Sequence, residues 1–195
     1  QGEKIAGTLH IPDTSTDRGI ILAHCFTCSR HSSSVRALGQ RFAQAGLLAL
    51  RFDFCGNGQC EGEFTQATYS KPKSVVKRAW KLLQTHGVKH LGLVGHSMGA
   101  VISLLATNEI NAVKALCTIA GRLSGDRPAN FFSHDQEIQL DQTGQVAFIS
   151  RGRPLTLTQD FFTDADQFDI PATITHLKTP LFIVHGDKDE VISVD

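Results

Sequence analysis

The sequence predicts an α/β protein, a mostly parallel sheet with helices on both faces and a small inserted cap. Two observations carry this. Short apolar runs alternate with longer amphipathic stretches. The rhythm breaks once, in a polar segment over residues 122–168, and then resumes. The 195 residues suffice for one domain with its own core.

Each element follows from its pattern. Residues 5–11 read as an early strand, closed by Pro12, and residues 19–23 as a buried strand. Val35, Leu38, Phe42 and Ala45 recur at helical spacing, and Gly46 stops that helix. Residues 47–52 form the next strand, followed by a glycine-rich loop over 56–62. A basic amphipathic helix over 73–85 puts Val76, Trp80 and Leu83 on one face. A strand over 91–94, a helix over 98–107 and a strand over 113–119 complete the first part. Within 122–168, two alternating runs, 145–150 and 154–157, flank Arg151-Gly152-Arg153 and read as an inserted hairpin between helices. Residues 180–185 resume the core sheet. The chain divides into a core over 1–121, a cap or lid over 122–169, and a continued core over 170–195. An insert at the C-terminal edge of a parallel sheet is where a substrate cap sits.

Charge and composition exclude some classes. Lysine plus arginine equals aspartate plus glutamate at 19 each, so the formal net charge is zero. Nucleic acids and anionic membranes both need a positive surface and are not expected partners. No apolar run approaches the ~20 residues that span a bilayer, and no signal peptide is recognised. The five cysteines are an odd number in a domain that can build a core, so they are read as mostly reduced thiols in a cytoplasmic protein.

The strongest chemical signal is Gly95-His96-Ser97-Met98-Gly99, between an apolar strand and a helix. This is the context a nucleophile elbow requires. Glycines two before and two after let strand and helix close around the serine. The turn exposes Ser97 Oγ above the sheet, and the helix N-terminus behind it favours developing negative charge. His24-Cys25-Phe26-Thr27-Cys28 follows an earlier strand.

With these two segments the chain resembles the α/β-hydrolase superfamily, many of whose esterases read His-Gly-Phe-Thr-Gly in this loop. Here Cys25 and Cys28 stand where those proteins carry glycine. The resemblance implies an oxyanion hole made by the Phe26 and Met98 amides, with His24 bracing the loop or, alternatively, acting directly. The segment from Arg51 to Phe64 looks like a loop of feruloyl-esterase-like hydrolases; Asp53 is read as holding the turn and pairing with Arg51, with a catalytic role as the alternative. Val184-His185-Gly186-Asp187-Lys188-Asp189 matches the segment carrying the superfamily's acid. That acid is Asp189, with Asp187 as rival. Its task is to fix the tautomer of the base and stabilise its imidazolium. The HCFTCS and RFDF loops, with the late Gly-Arg-Pro-Leu-Thr-Leu segment, further resemble the hydrolase half of bacterial hydrolase–OsmC fusions, which implies an OsmC-like partner domain.

The superfamily order is Ser, Asp, His, which puts the base roughly 20 to 35 residues past Asp189. The sequence is therefore read as lacking the C-terminal helix, strand and catalytic His. Among its histidines only His31 is a candidate stand-in. An open sheet edge predicts aggregation or a homodimer. Phe131, Phe132, Phe161 and Phe162 either line the substrate pocket or pack the insert on the core.

The leading expectation is a serine hydrolase of small carboxylic esters needing no cofactor or metal. Ser97 and Asp189 are catalytic, and Phe26 and Met98 form the oxyanion hole. Two rivals stand beside it. One is an inactive α/β-hydrolase-fold binding module. The other is a thiol-redox protein using Cys25 and Cys28, alone or with Cys55 and Cys60, a set that is also a candidate soft-metal site.

Overall fold

In the computed structural model, residues 3–124 and 128–193 are described. Residues 125–127 of the predicted insert, and the two at each terminus, lie outside the described residues. In chain order the elements are β1 (Gly7–His10), β2 (Arg18–Ala23), α1 (Ser33–Gln44), β3 (Leu48–Phe52), α2 (Ser70–Thr85) and β4 (His90–His96). They continue with α3 (Met98–Thr107), β5 (Val113–Ile119), α4 (His134–Thr143), β6 (Gln145–Ser150), β7 (Arg153–Thr158), α5 (Gln159–Ala165), α6 (Ile170–Thr175) and β8 (Leu181–Val184).

Six strands form one sheet in the order β1-β3-β2-β4-β5-β8. Only β1 runs antiparallel to its neighbour. The side-chain period of two distributes β2 between two cores. Ile20 and Leu22 pack with Val35, Leu38 and Phe42 of α1, while Ile21 and Ala23 face the core that holds α2 and α3. This is the predicted arrangement of helices on both faces, and it is the α/β-hydrolase fold.

The topology fixes where a site can lie. After β2 the chain moves to β3 on one side, and β4 then returns to the other side of β2. The loops leaving β2 and β4 therefore diverge at the C-terminal ends of adjacent strands, and the crevice between them is where open α/β sheets bind ligands.

The element boundaries differ from the sequence pattern in explicable places. β1 is shorter than the predicted 5–11, because only Gly7–His10 finds partners on β3. α2 starts at Ser70 instead of residue 73, with Pro72 in its first turn, where a missing N–H costs nothing. β4 runs on through Gly95 and His96, which pair with Thr118 and Ile119. β6 and β7 form a separate two-stranded hairpin, as the alternating runs predict. At the far edge β8 exposes Phe182, Ile183 and Val184. No helix among the described residues is long and apolar enough to cross a membrane.

Candidate active site

Ser97 sits between β4 and α3 with φ 54° and ψ −119°. Positive φ at a non-glycine residue costs on the order of 1–3 kcal/mol and persists only where the surroundings impose it. Here they do. The Ser97 N–H donates to Ile119 O over 2.8 Å, which ties the turn to β5. A Cβ on Gly95 would lie 2.1 Å from Gly99 O, and one on Gly99 would lie 2.4 Å from Ala23 O. Both glycines are therefore obligatory for the close approach of β4, α3 and the end of β2. Met98 opens α3, so its N–H has no intrahelical acceptor and points its partial positive charge outward beside Ser97.

The loop after β2 lies next to this turn. Cys28 N–H donates to Cys25 O, and the tight turn brings the two Cα atoms within 5.2 Å, where a disulfide joins them. The reading of the cysteines as mostly reduced thiols is corrected at this pair, because spacing in sequence does not reveal a turn that sets two sulfurs face to face. Phe26 and Thr27 lie inside the closed ring. The Phe26 N–H makes no hydrogen bond among the described residues, while its carbonyl accepts from Asn57 Nδ2 over 3.3 Å. His24 is fully buried. Its Nδ1–H donates to Cys25 O over 2.6 Å and its Nε2 accepts from Phe54 N–H over 2.9 Å. Burial pushes its pKa down to about 4, so it is a neutral brace for the loop.

Asp53 is also fully buried and structural, with a partner other than the expected Arg51. It accepts from the Arg30 N–H over 2.6 Å and from Gln59 N–H over 2.9 Å, and it forms an ion pair with the Arg30 guanidinium. Arg51 instead donates to the Arg30 carbonyl and, through Nε, to His10 Nε2 over 2.8 Å. Arg30 lies 23 positions before Asp53, so only the folded loops reveal the pair.

The loop after β8 carries the acid candidates. Asp189 Oδ1 accepts from the Val191 and Ile192 N–H groups, each over 2.9 Å, and Oδ2 lies 3.5 Å from His185 Nε2. The Ile192 and Val191 amides hold its carboxyl below the usual carboxylate range. Asp187 is exposed. His96 is half-buried and its pKa is lowered, first by burial and then by Arg151, against the opposing pull of Asp189. His31 is exposed, and no hydrogen bond to the Ser97 hydroxyl is seen among the described residues. A base past residue 195 lies outside the described residues.

A cavity of about 570 Å³ opens over Ser97 and Met98. Phe26, Phe131, Phe132, Phe148 and Phe161 line it. Phe162 does not. It is buried against Phe132 and Phe161, so one member of the Phe set packs and three face the cavity. The β6–β7 hairpin roofs the space and is tied to the loop after β2. Thr27 Oγ1 and Ser150 Oγ are 2.7 Å apart, and Arg153 Nη2 donates to Thr27 O over 3.1 Å. Sequence reasoning missed Arg122 and Tyr69, which share the cavity wall and hydrogen-bond each other. The available signal was Gly121-Arg122 just past the C-terminal end of β5, the sheet edge where sites form. The remaining thiols are poorly reactive. Burial pushes the Cys55 thiol up to about 12 and also raises Cys60 and Cys117. No cluster of three or more His, Cys, Asp or Glu side chains suited to a metal occurs among the described residues.

Known proteins share this architecture. The chain is 24% identical over 224 aligned residues to a monoacylglycerol lipase of Mycolicibacterium smegmatis, covering 99% of this chain and 78% of that protein. The structure of Est1E from Butyrivibrio proteoclasticus with bound ferulic acid superposes with a TM-score of 0.80 at 22% identity, over 99% of this chain and 79% of that one. A putative hydrolase from Agrobacterium vitis S4 superposes with a TM-score of 0.80 at 21% identity, over 99% of this chain and 78% of that one. The family model described as serine aminopeptidase, S33, matches residues 15–128, a span that holds both the loop after β2 and the elbow. With its elbow, its switch-point cavity and this match over more than half its length, the chain belongs to the serine aminopeptidase S33 family of hydrolases, in the α/β-hydrolase superfamily.

Proposed function

We propose that the protein is a serine esterase acting on carboxylic esters with an apolar acyl group. The observation that carries this reading is the strained Ser97 at the floor of an aromatic cavity, beside the Phe26 and Met98 amides, which have no acceptor among the described residues. Ser97 Oγ attacks the acyl carbon and gives its proton to a histidine base. The oxyanion then accepts hydrogen bonds from the Phe26 and Met98 N–H groups, the preorganised donors that stabilise charge as it develops. Collapse releases the alcohol, which takes the proton from the imidazolium, and water hydrolyses the acyl-enzyme by the reverse sequence.

Asp189 is the acid that orients the base. Two amides already fix one of its oxygens, which leaves the other to accept from an imidazole. The base is assigned to a histidine following Asp195 in a longer chain. Residues 122–169 act as the cap that shapes the pocket. The cationic Arg122 in the cavity wall repels the α-ammonium of a peptide N-terminus, which favours esters over aminopeptidase substrates. The monoacylglycerol in the lipase's name and the ferulic acid bound to Est1E both carry largely apolar acyl groups that suit such a wall. The Cys25–Cys28 bond serves this chemistry by bracing the loop that holds Phe26, because both sulfurs are buried.

Labelling with a fluorescent fluorophosphonate tests the reading, on this chain and on one that continues past Asp195, each beside Ser97→Ala. The expected result is labelling of the longer chain that Ser97→Ala abolishes. Folded protein that does not label in either length rejects the esterase and favours a binding module.

A further inference from the structure

Arg122 is a buried cation for which the chemistry above names a group it repels but no group it binds. The chain leaves β5 through Ala120, at φ 46°, and Gly121, whose Cβ position would lie 2.6 Å from the Ala100 Cβ. That close approach holds Gly121, the residue before Arg122, against Ala100 in the first turn of α3. Arg122 is 8% exposed and lines the cavity that holds Ser97. Its Nη2 donates to Tyr69 Oη over 3.2 Å. Its Nη1 is buried and has no partner among the described residues. No carboxylate pairs with it there either; its other neighbour is the Phe131 ring, 5.9 Å from guanidinium carbon to centroid.

A guanidinium out of water without a counter-ion, and with one nitrogen lacking an acceptor, is destabilising, and an anion entering the cavity supplies both. Tyr69 adds a second donor. Its oxygen accepts from Arg122, so its own O–H is free to donate, and burial raises its pKa and keeps the phenol protonated. A guanidinium N–H and a phenol O–H side by side match the two oxygens of a carboxylate. Around them Phe26, Phe132, Phe148, Phe161 and Leu157 offer only hydrocarbon.

We propose that Arg122, assisted by Tyr69, anchors a carboxylate on the substrate, so that the protein hydrolyses esters carrying a free carboxylate separated from the scissile bond by an apolar spacer. This rests on the esterase reading and adds the substrate class to it. The carboxylate belongs to the acyl or the alcohol half, and the test has an arm for each.

The experiment compares kcat/KM of the full chain on matched pairs. The acyl arm uses the p-nitrophenyl monoester of a six-carbon dicarboxylic acid against the same compound with its carboxylate methylated. The alcohol arm uses the butyryl ester of p-hydroxybenzoate against that of its methyl ester. In one arm the free carboxylate is expected to be favoured on the order of 10-fold, mostly through KM. Arg122→Gln is expected to bring that ratio close to one, and Arg122→Lys to restore part of it. A wild type without preference in either arm, or a ratio that survives Arg122→Gln while both rates fall, overturns the anchor. If Arg122→Gln does not fold, protection of wild-type Ser97 from the fluorophosphonate decides. Benzoate is expected to slow labelling where benzamide does not, and equal protection overturns the anchor. Absence of both labelling and turnover rejects the esterase itself, whereas turnover without carboxylate preference rejects only the role of Arg122.

Discussion

The floor and the roof of the cavity are built on opposite terms. The floor is backbone. Gly95, Ser97 and Gly99 interlock with the ends of β2 and β5 at distances that leave no room for a side-chain carbon. The roof is a hairpin outside the main sheet, joined to the loop after β2 by bonds from the side chains of Thr27, Ser150 and Arg153. At its tip Arg151 and Gly152 turn in open space, and Ile149 is 79% exposed. The difference teaches where each property resides. The geometry around Ser97 is set by main-chain atoms that evolution cannot adjust one residue at a time. The shape of the roof is set by side chains on a separate layer that can be changed without touching the elbow.

The sharpest way to break this contrast is to add one methyl group to each region. Gly95→Ala is expected to lose more than ~3 kcal/mol and Ser97 labelling, because the new carbon meets Gly99 backbone with no room to shift. Gly152→Ala, at φ 73° with nothing within 4 Å, is expected to cost only about 1 kcal/mol and to keep labelling. Denaturant unfolding and fluorophosphonate labelling of both variants give the answer, and equal losses would refute the contrast.

The next effect is pH. His24 has a folded pKa of about 4 against its ordinary 6.5. Between these values the unfolded chain binds the proton and the folded one does not, so stability falls as pH drops from 6.5 toward 4. The loss approaches about 3 kcal/mol. Unfolding free energies at neutral pH and near pH 4.5 measure it, and His24→Gln should flatten the difference. A wild-type curve as flat as that of the variant would show that His24 is not the buried neutral brace of the floor.

A smaller effect is expected at the disulfide, the one covalent clamp on the loop holding Phe26. The Cys25→Ala, Cys28→Ala double variant should fold and lose on the order of 10-fold in kcat with less change in KM, since the clamp positions the proposed oxyanion donor, which acts in the transition state and not the ground state. A change confined to KM would place the loop with the roof instead. Smallest of all, Ser150→Ala removes one tie between roof and floor. It should cost about 0.5–1.5 kcal/mol and raise KM a few-fold at unchanged kcat, measured by steady-state ester hydrolysis.

The difference between floor and roof also separates what could be read from the sequence from what could not. The elbow was legible because its constraints are consecutive: an apolar strand, a serine with glycine two places to either side, then a helix. The hairpin was legible as alternating runs around Arg151-Gly152-Arg153, and the helix starting at Met98 emerges at its expected residue. Each of these is a local pattern whose period or steric demand lies within a few residues. The ion partner of Asp53, the disulfide, the Thr27–Ser150 tie across 123 positions and the Arg122–Tyr69 bond across 53 were not legible. By itself the sequence determined the layered sheet, the strained serine turn and the hydrolase class, because hydrophobic period and glycine sterics act between near neighbours in the chain. Only the tertiary structure decided which loops meet at the switch point, and hence which cation lies buried in the wall of the cavity with no carboxylate partner among the described residues. Such pairings depend on strand order, and strand order is a property of the whole fold.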